Sequence, residues 1–298
     1  MKQLYRVLPV MLSVGLFGCG NNNTATTTTT TAPESATPAV TETKEEFVSK
    51  LPDSAPIVRV ATEANYAPYE FKDEYGNVTG FDLELMRQIG EDQGFKVEVY
   101  NDPWEDLFTN VDNKSRDMIA AGLSYSKDRN SKYLLSDPYV PLPSTLLYID
   151  DSLSINSMND LGNIRVGVLS DTVQYDYFTQ DSINVKSIEQ YPTTFAAVQA
   201  MAQGDIDAVA EDSGVLRYLM NDLPDLQPHY FDYEDIGSEA ARKVLAIDKG
   251  QPELLEKVNL GLKSLKENGT YASLTTKWFG TDLTKTALEQ QQKLSAVE

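Results

Sequence analysis

The two residue types that most often do nucleophilic, redox or metal chemistry occur once each in this chain of 298 residues, as Cys19 and His229. A single cysteine excludes an intramolecular disulfide and any cysteine cluster for zinc or iron–sulfur. A single histidine excludes a multi-histidine metal site. His229, between Pro228 and Tyr230, reads as a loop residue. Cys19 stands in a different setting. It closes a segment that begins with Lys2 and Arg6 and continues as an apolar run from Val7 to Phe17. That run is short of the ~20 residues a membrane-spanning helix needs and has the layout of an export signal. Carboxylates are the abundant chemical group: 45 acidic residues face 25 basic ones, a net charge of −20. Loss of Lys2 and Arg6 with the signal leaves 23 basic residues against 45 acidic, a net of −22. Such a surface repels phosphates, which excludes nucleic acid as a partner, and it gains nothing from an anionic membrane surface. It does not identify a small ligand.

The elements that must position any site are legible in the periodicity. Residues 21–40, rich in Thr, Asn, Ala and Pro, cannot bury a core and read as a disordered tether. Folding is expected from Ile57, leaving about 240 residues, enough for two modest domains. Residues 57–61 read as a short buried strand. Phe81, Leu85, Met86 and Ile89 follow helical spacing, with Gly94 where the helix should end. A helix is expected from Trp104 to Val111 and a buried strand at 118–121. Residues 164–169 read as a strand, with a helix starting near Thr172. A helix from Thr193 to Gln203 should bury Phe195, Val198 and Met201 and stop at Gly204. A short strand at 208–210 precedes a helix from Ser213 to Met220. Pro252 suits a first helical turn, and Leu255, Val258, Leu262 and Leu265 give that helix one apolar face up to Gly269. Strands separated by helices predict largely parallel sheets covered on both faces, where ligands gather at the carboxyl ends of the strands. No internal repeat is visible.

Several stretches carry a resemblance. Leu16-Phe17-Gly18-Cys19 resembles a bacterial lipobox, which implies that the Cys19 sulfur receives a diacylglyceryl group and becomes the new N-terminus. Residues 61–71 (Ala-Thr-Glu-Ala-Asn-Tyr-Ala-Pro-Tyr-Glu-Phe) and 80–85 (Gly-Phe-Asp-Leu-Glu-Leu) are similar to the opening of the bacterial extracellular solute-binding proteins, family 3. Residues 117–129, from Asp117 through Gly122-Leu123-Ser124 to Asp128-Arg129, resemble the family's central motif, followed by Leu135-Ser136-Asp137-Pro138-Tyr139. Residues 204–212 (Gly-Asp-Ile-Asp-Ala-Val-Ala-Glu-Asp) resemble its second-lobe motif, and the ending from Asn268 to Gly280 is also typical. The resemblance spans Ile57 to Gly280 in the family's order. It implies an α/β fold of the type II periplasmic-binding-protein kind, two α/β lobes joined by a two-stranded hinge. The expected organisation is a signal peptide at 1–18 and a tether at 19–56. Lobe 1 is then expected at 57–143 and 238–280, lobe 2 at 144–237 and a tail at 281–298, with hinge crossings near 142–146 and 235–240.

The resemblance also assigns roles. A free amino acid brings an α-carboxylate and an α-ammonium into a drying cleft, and each buried charge needs a partner. Arg129 matches the carboxylate-binding arginine, whose planar fork meets two oxygens at once. Gly122 and Ser124 match positions that offer backbone groups and a hydroxyl. Thr172 and Val173, at the start of a helix in the other lobe, present unpaired N–H groups; Asp171 stands where most relatives have glycine. Asp212 matches the acceptor of the α-ammonium, and it suits an N-cap of the next helix equally well. Tyr66 and Trp104 match aromatic positions that sandwich the ligand side chain, and Glu63 an acidic position at its polar end. With no cation other than Arg129 expected in the pocket, the aromatic faces and the acid favour arginine, lysine, ornithine or histidine over an acidic side chain, with glutamine the nearest competitor. The implied protein is the substrate-binding component of an ABC importer. It would be a monomer in the periplasm or at the cell surface, held to the membrane by its lipid anchor alone. Its partners would be the amino acid and the transporter permease, and neither a metal nor an organic cofactor is expected. Aromatic-acid dehydratases of the cyclohexadienyl type share the fold and would use Glu63 or Glu211 as general acid, but a complete zwitterion grip argues for binding without catalysis. A sensing receptor would share every one of these features.

Overall fold

A computed structural model describes residues 47–170, 172–239 and 241–296. The expected signal peptide, Cys19, most of the tether and Asp171 lie outside the described residues, as does Ala240 in the second expected crossing.

Two five-stranded sheets organise the described chain. In the first the strands run in the order Lys96–Asn101, Ile57–Thr62, Met118–Ile119, Ala246–Ile247, Leu134–Leu135. In the second the order is Ser187–Tyr191, Arg165–Leu169, Ala208–Asp212, Ser144–Tyr148, His229–Asp232. The chain passes from the first sheet to the second between Leu135 and Ser144, and returns between Asp232 and Ala246. The expectation of largely parallel sheets needs correction. Four of the eight pairings in these sheets are antiparallel. Ser144–Tyr148 and Ala246–Ile247, each entered from a passage between the sheets with no crossover helix before it, run against both of their neighbours, and His229–Asp232 is antiparallel because its partner is Ser144–Tyr148. A small antiparallel sheet of Asn65–Tyr66, Glu70–Lys72 and Val78–Thr79 extends from the first strand and sets Tyr66 opposite Glu70.

Helices bury both faces of the sheets. Phe81–Gln93 packs Phe81, Leu85, Met86 and Ile89 with Val58 and Val60, and against Leu254, Val258, Leu262 and Leu265 of Pro252–Glu267. In the second sheet Leu146, Val166 and Val168 face one core and Leu147 and Val209 the other, the alternation a pleated strand imposes. That two-sided burial explains why Ser144–Tyr148 is buried throughout and shows no polar–apolar alternation. Gly94 and Gly204 end their helices in the left-handed region, at φ 80° each.

Three expectations change in detail. Phe195 is exposed, because the buried face of Thr194–Gln203 runs through Ala197, Val198 and Met201. His229 opens a strand, stacked on Tyr148 at 5.1 Å with a ring nitrogen 2.8 Å from Asp151, and is no loop residue. The tether is shorter at its far end than expected: the Lys50 N–H donates to the Glu91 carboxylate at 3.1 Å, and the Lys96 N–H to the Pro56 carbonyl at 2.8 Å. The expected tail contains a helix, Thr284–Ser295. Its Gln290 amide donates to the carbonyls of Ile236 and Ala241, and Lys293 pairs with Asp235. It therefore fastens onto the second passage between the sheets. Among the described residues no helix is long and apolar enough to cross a membrane.

Candidate functional site

A cavity of about 200 Å³ opens where the ends of strands from both sheets meet. Eight residues singled out from the sequence line it: Glu63, Tyr66, Trp104, Gly122, Ser124 and Arg129 from the side of the first sheet, Thr172 and Val173 from the second. The ninth, Asp212, is fully buried and not part of the lining.

Arg129 lies in the short helix Lys127–Lys132, started by Ser126, whose hydroxyl accepts the Arg129 N–H at 3.2 Å. Its Nη1 donates to the Ser124 carbonyl at 2.6 Å. The guanidinium carbon sits 5.9 Å from the Trp104 ring and 5.8 Å from that of Phe108. Burial pulls its pKa below the usual arginine value, against the opposing charges of Asp128 and Asp176. Arg129 forms no salt bridge among the described residues, so a cation anchored on one side meets the cavity without a carboxylate partner. The bond to Ser124 leaves most of its fork to an incoming carboxylate.

Tyr66 stacks on Tyr69 with centroids 5.6 Å apart and donates its hydroxyl to Glu211 Oε1 at 2.8 Å. Trp104 starts its helix at Pro103 and meets Phe108 edge-on. Gly122 holds φ at +52°, and a Cβ there would fall 2.7 Å from the Tyr66 ring, so glycine sets the floor of the aromatic wall. Its N–H is spent on Asp82 at 2.9 Å, which also accepts from the Tyr139 hydroxyl at 2.7 Å. Burial pushes Asp82 up to about 7, against those two bonds and Lys243. Burial also raises Glu63, opposed by bonds from the Asn65 side chain and the Trp104 backbone. On the far wall Thr172 caps the helix Val173–Phe178: its hydroxyl accepts the Tyr175 N–H and donates to the Leu169 carbonyl. The hydroxyl is thus occupied; Thr172 and Val173 line the cavity, and the first N–H groups of a helix have no intrahelical partner.

Asp212 ends the strand Ala208–Asp212 and caps the helix Ser213–Met220, its Oδ1 accepting from the Gly214 N–H at 2.9 Å and the Tyr69 hydroxyl at 3.2 Å. Its Oδ2 lies 2.8 Å from Lys243 Nζ, in a pair 2 % and 1 % exposed. Lys243 also donates to the Ser124 hydroxyl at 2.8 Å. This lysine, with Glu70, is what sequence reasoning missed. Arg242-Lys243-Val244 looks like an ordinary basic pair beside a strand, and nothing in its spacing marks a buried ammonium. The premise that no cation other than Arg129 reaches the cavity is therefore corrected: Lys243 lines it. Glu70 lines it too, 1 % exposed, and burial followed by the Asp82 charge pushes its pKa well above the usual carboxylate range. Among the described residues no group of three His, Cys, Asp or Glu is arranged to hold a metal ion.

The sequence profile described as "Bacterial extracellular solute-binding proteins, family 3" matches residues 58–281. The chain belongs to that family. Its fold is the two-lobed type II periplasmic-binding-protein fold. A protein of Neisseria gonorrhoeae named "Probable histidine-binding protein" is 27 % identical over 228 residues, covering 75 % of this chain and 83 % of that one. The L-cystine-binding protein TcyJ of Escherichia coli is 26 % identical over 247 residues, 81 % of this chain and 89 % of its own. An ancestral arginine-binding protein, solved with arginine and with glutamine, superposes with a TM-score of 0.65 at 28 % identity, covering 75 % of this chain and 98 % of that one. All three are named for the amino acids they bind, and an ancestral amino acid-binding protein of 31 % identity and TM-score 0.65 is described as a precursor of cyclohexadienyl dehydratase.

Proposed function

We propose that this protein is the substrate-binding component of an ABC importer for a polar amino acid, with arginine, lysine, ornithine or histidine preferred and glutamine the nearest competitor. One observation carries the reading: Arg129 is held by the Ser124 carbonyl at 2.6 Å on the wall of a closed-in cleft, with no carboxylate of the protein paired to it among the described residues. A small α-carboxylate supplies that partner, and the Thr172–Val173 turn faces it from the other lobe. Trp104 and Tyr66 offer ring faces to the side chain, and Glu63 offers it an acid; cation–π contact contributes ~0.5–2 kcal/mol. A relative solved with both arginine and glutamine supports the same pair of candidates. Lys243 does not reverse this preference, because its charge is already met by Asp212.

The dehydratase reading has less support. Glu211, buried behind the cavity, has its Oε1 engaged by the Tyr66 hydroxyl and the Asp212 N–H, and its Oε2 near the Thr194 hydroxyl. A general acid must reach the bond it protonates; Glu211 is not on the lining and Glu63 is, so of the two candidates this reading would rest on Glu63 alone. The lobes are proposed to close on the ligand and the permease to recognise the closed form, the mature protein being a monomer tethered through a lipid on Cys19.

The deciding measurement is a thermal-shift screen of the mature protein against the twenty amino acids. Calorimetry of arginine, lysine, glutamine and glutamate in wild type and Glu63→Gln then follows. Tight glutamate binding, or a cationic preference that survives Glu63→Gln unchanged, would refute the electrostatic argument. For the anchor, incorporation of labelled fatty acid should vanish in Cys19→Ser, and its absence from the wild type would remove the lipid.

A further inference from the structure

The cleft contains a charge for which an amino acid zwitterion has no use. Lys243 donates to Ser124 Oγ and to Asp212 Oδ2, each at 2.8 Å. The family resemblance offers Asp212 to a ligand's ammonium and the Ser124 hydroxyl to the ligand. Of the other acceptors nearby, Asp212 Oδ1 is engaged by Gly214 and Tyr69 and the Ser124 carbonyl by Arg129, while Glu70 Oε2 is buried without a hydrogen-bond partner among the described residues. An ammonium has three protons, and Lys243 makes two hydrogen bonds to the described residues. A ligand ammonium directed at Asp212 would come within a few ångströms of the lysine's own, in a buried setting that screens repulsion poorly. Burial, followed by the Asp82 charge and opposed by Lys243, pushes the pKa of Glu70, the other carboxyl on this part of the wall, well above the usual carboxylate range.

We infer that Lys243 stands where a ligand's amino group would, so that the cleft recognises small carboxylic acids whose α-substituent accepts a hydrogen bond. The 2-hydroxy and 2-oxo analogues of its amino acids are therefore ligands in their own right. The inference rests on the reading that the α-carboxylate docks on Arg129. From there, the third Lys243 N–H is the donor for the α-oxygen, and Asp212 serves to hold the lysine. The α-ammonium then adds little to affinity, and selectivity comes from the side chain on the Tyr66, Trp104 and Glu63 wall.

The test is calorimetry of the mature protein with each L-amino acid and its 2-hydroxy counterpart, arginine being paired with 2-hydroxy-5-guanidinopentanoic acid. In the wild type the hydroxy acid should bind within about threefold of the amino acid, or tighter. In Lys243→Met, which frees Asp212, the preference should move toward the amino acid by about tenfold or more. Hydroxy acids binding where no amino acid does would sustain the inference and overturn the amino-acid reading. Amino acids binding about a hundredfold tighter than their hydroxy partners would overturn the inference and leave that reading standing. Binding by neither set overturns both. Should Lys243→Met fail to fold, the wild-type ratio decides alone.

Discussion

The Lys243–Asp212 pair makes a stability prediction that needs no ligand. Both side chains are essentially removed from water, at 2 % and 1 % exposure, with 2.8 Å between nitrogen and oxygen. Lys243→Met leaves the carboxylate buried, with the Gly214 N–H and Tyr69 O–H as its remaining donors. Breaking a buried pair from one side costs about 3–5 kcal/mol. At ~2–4 °C per kcal/mol for a folded region of this size, the melting temperature should fall by about 6–20 °C. Asp212→Asn alone should cost a similar amount, since an amide nitrogen then faces the ammonium. The double variant Lys243→Met with Asp212→Asn keeps an oxygen for Gly214 and Tyr69 and buries no charge. It should be more stable than either single variant, with a coupling of at least ~2 kcal/mol. The assay is urea unfolding of all four proteins at neutral pH. Single-variant costs that sum to the double-variant cost would refute the claim that these two charges are matched.

Three further outcomes are expected. Arg129→Ala should weaken every cognate ligand by about a hundredfold or more, the loss of one partner of a buried charge pair; calorimetry showing near-native affinity in the folded variant would remove it from the site. Gly122→Ala should cost ~1–2 kcal/mol from its left-handed backbone, beyond which the Tyr66 ring must yield to a Cβ 2.7 Å away, so melting temperature and affinity should fall together. Asp82, pushed up to about 7 from an unfolded value near 3.9, holds a proton in the native state between those values; its contribution to stability is thus lost as pH rises from about 4 to about 7, and the fall in melting temperature over that range should flatten in Asp82→Asn.

What could be read in the sequence, and what could not, divides along physical lines. Helices whose apolar spacing and caps agree were legible: Pro252–Glu267 starts at its proline, and Ser213–Met220 follows its Asp212 cap. Ser144–Tyr148, buried on both faces, and Ser187–Tyr191, a partly exposed edge strand, both lack a clean alternation and escaped. The antiparallel returns escaped because direction within a sheet leaves no trace in local pattern. For the site, residues inside recognisable motifs reached the cavity, Arg129 and Gly122 among them. Lys243 lay outside every motif, and its burial depends on Asp212 and Ser124, 31 and 119 residues away in the chain. Long-range charge pairing of this kind appears only when the chain is folded. The Asp212 cap was foreseen, but not that the same carboxylate would be shared with a lysine.

The placement of these contacts also bears on how a ligand could close the cleft. Tyr66 with Glu211, Tyr69 with Asp212 and Lys243 with Asp212 already join the two sides of the cavity. All three meet the end of the strand Ala208–Asp212, which pairs with Ser144 where the chain enters the second sheet. The helix Thr284–Ser295 fastens the return passage close by, through Gln290 and Lys293. Contacts beside a pivot change little when the lobes part, so they cannot by themselves favour the closed form. Arg129 and the Thr172–Val173 turn belong to different sheets and have no protein bond between them among the described residues. A ligand carboxylate placed between them makes contacts that exist only when the cleft is shut, and only such differential contacts shift the equilibrium. On the proposed function, closure would fall to the carboxylate end of the ligand, and side-chain selectivity to the wall of Tyr66, Trp104 and Glu63.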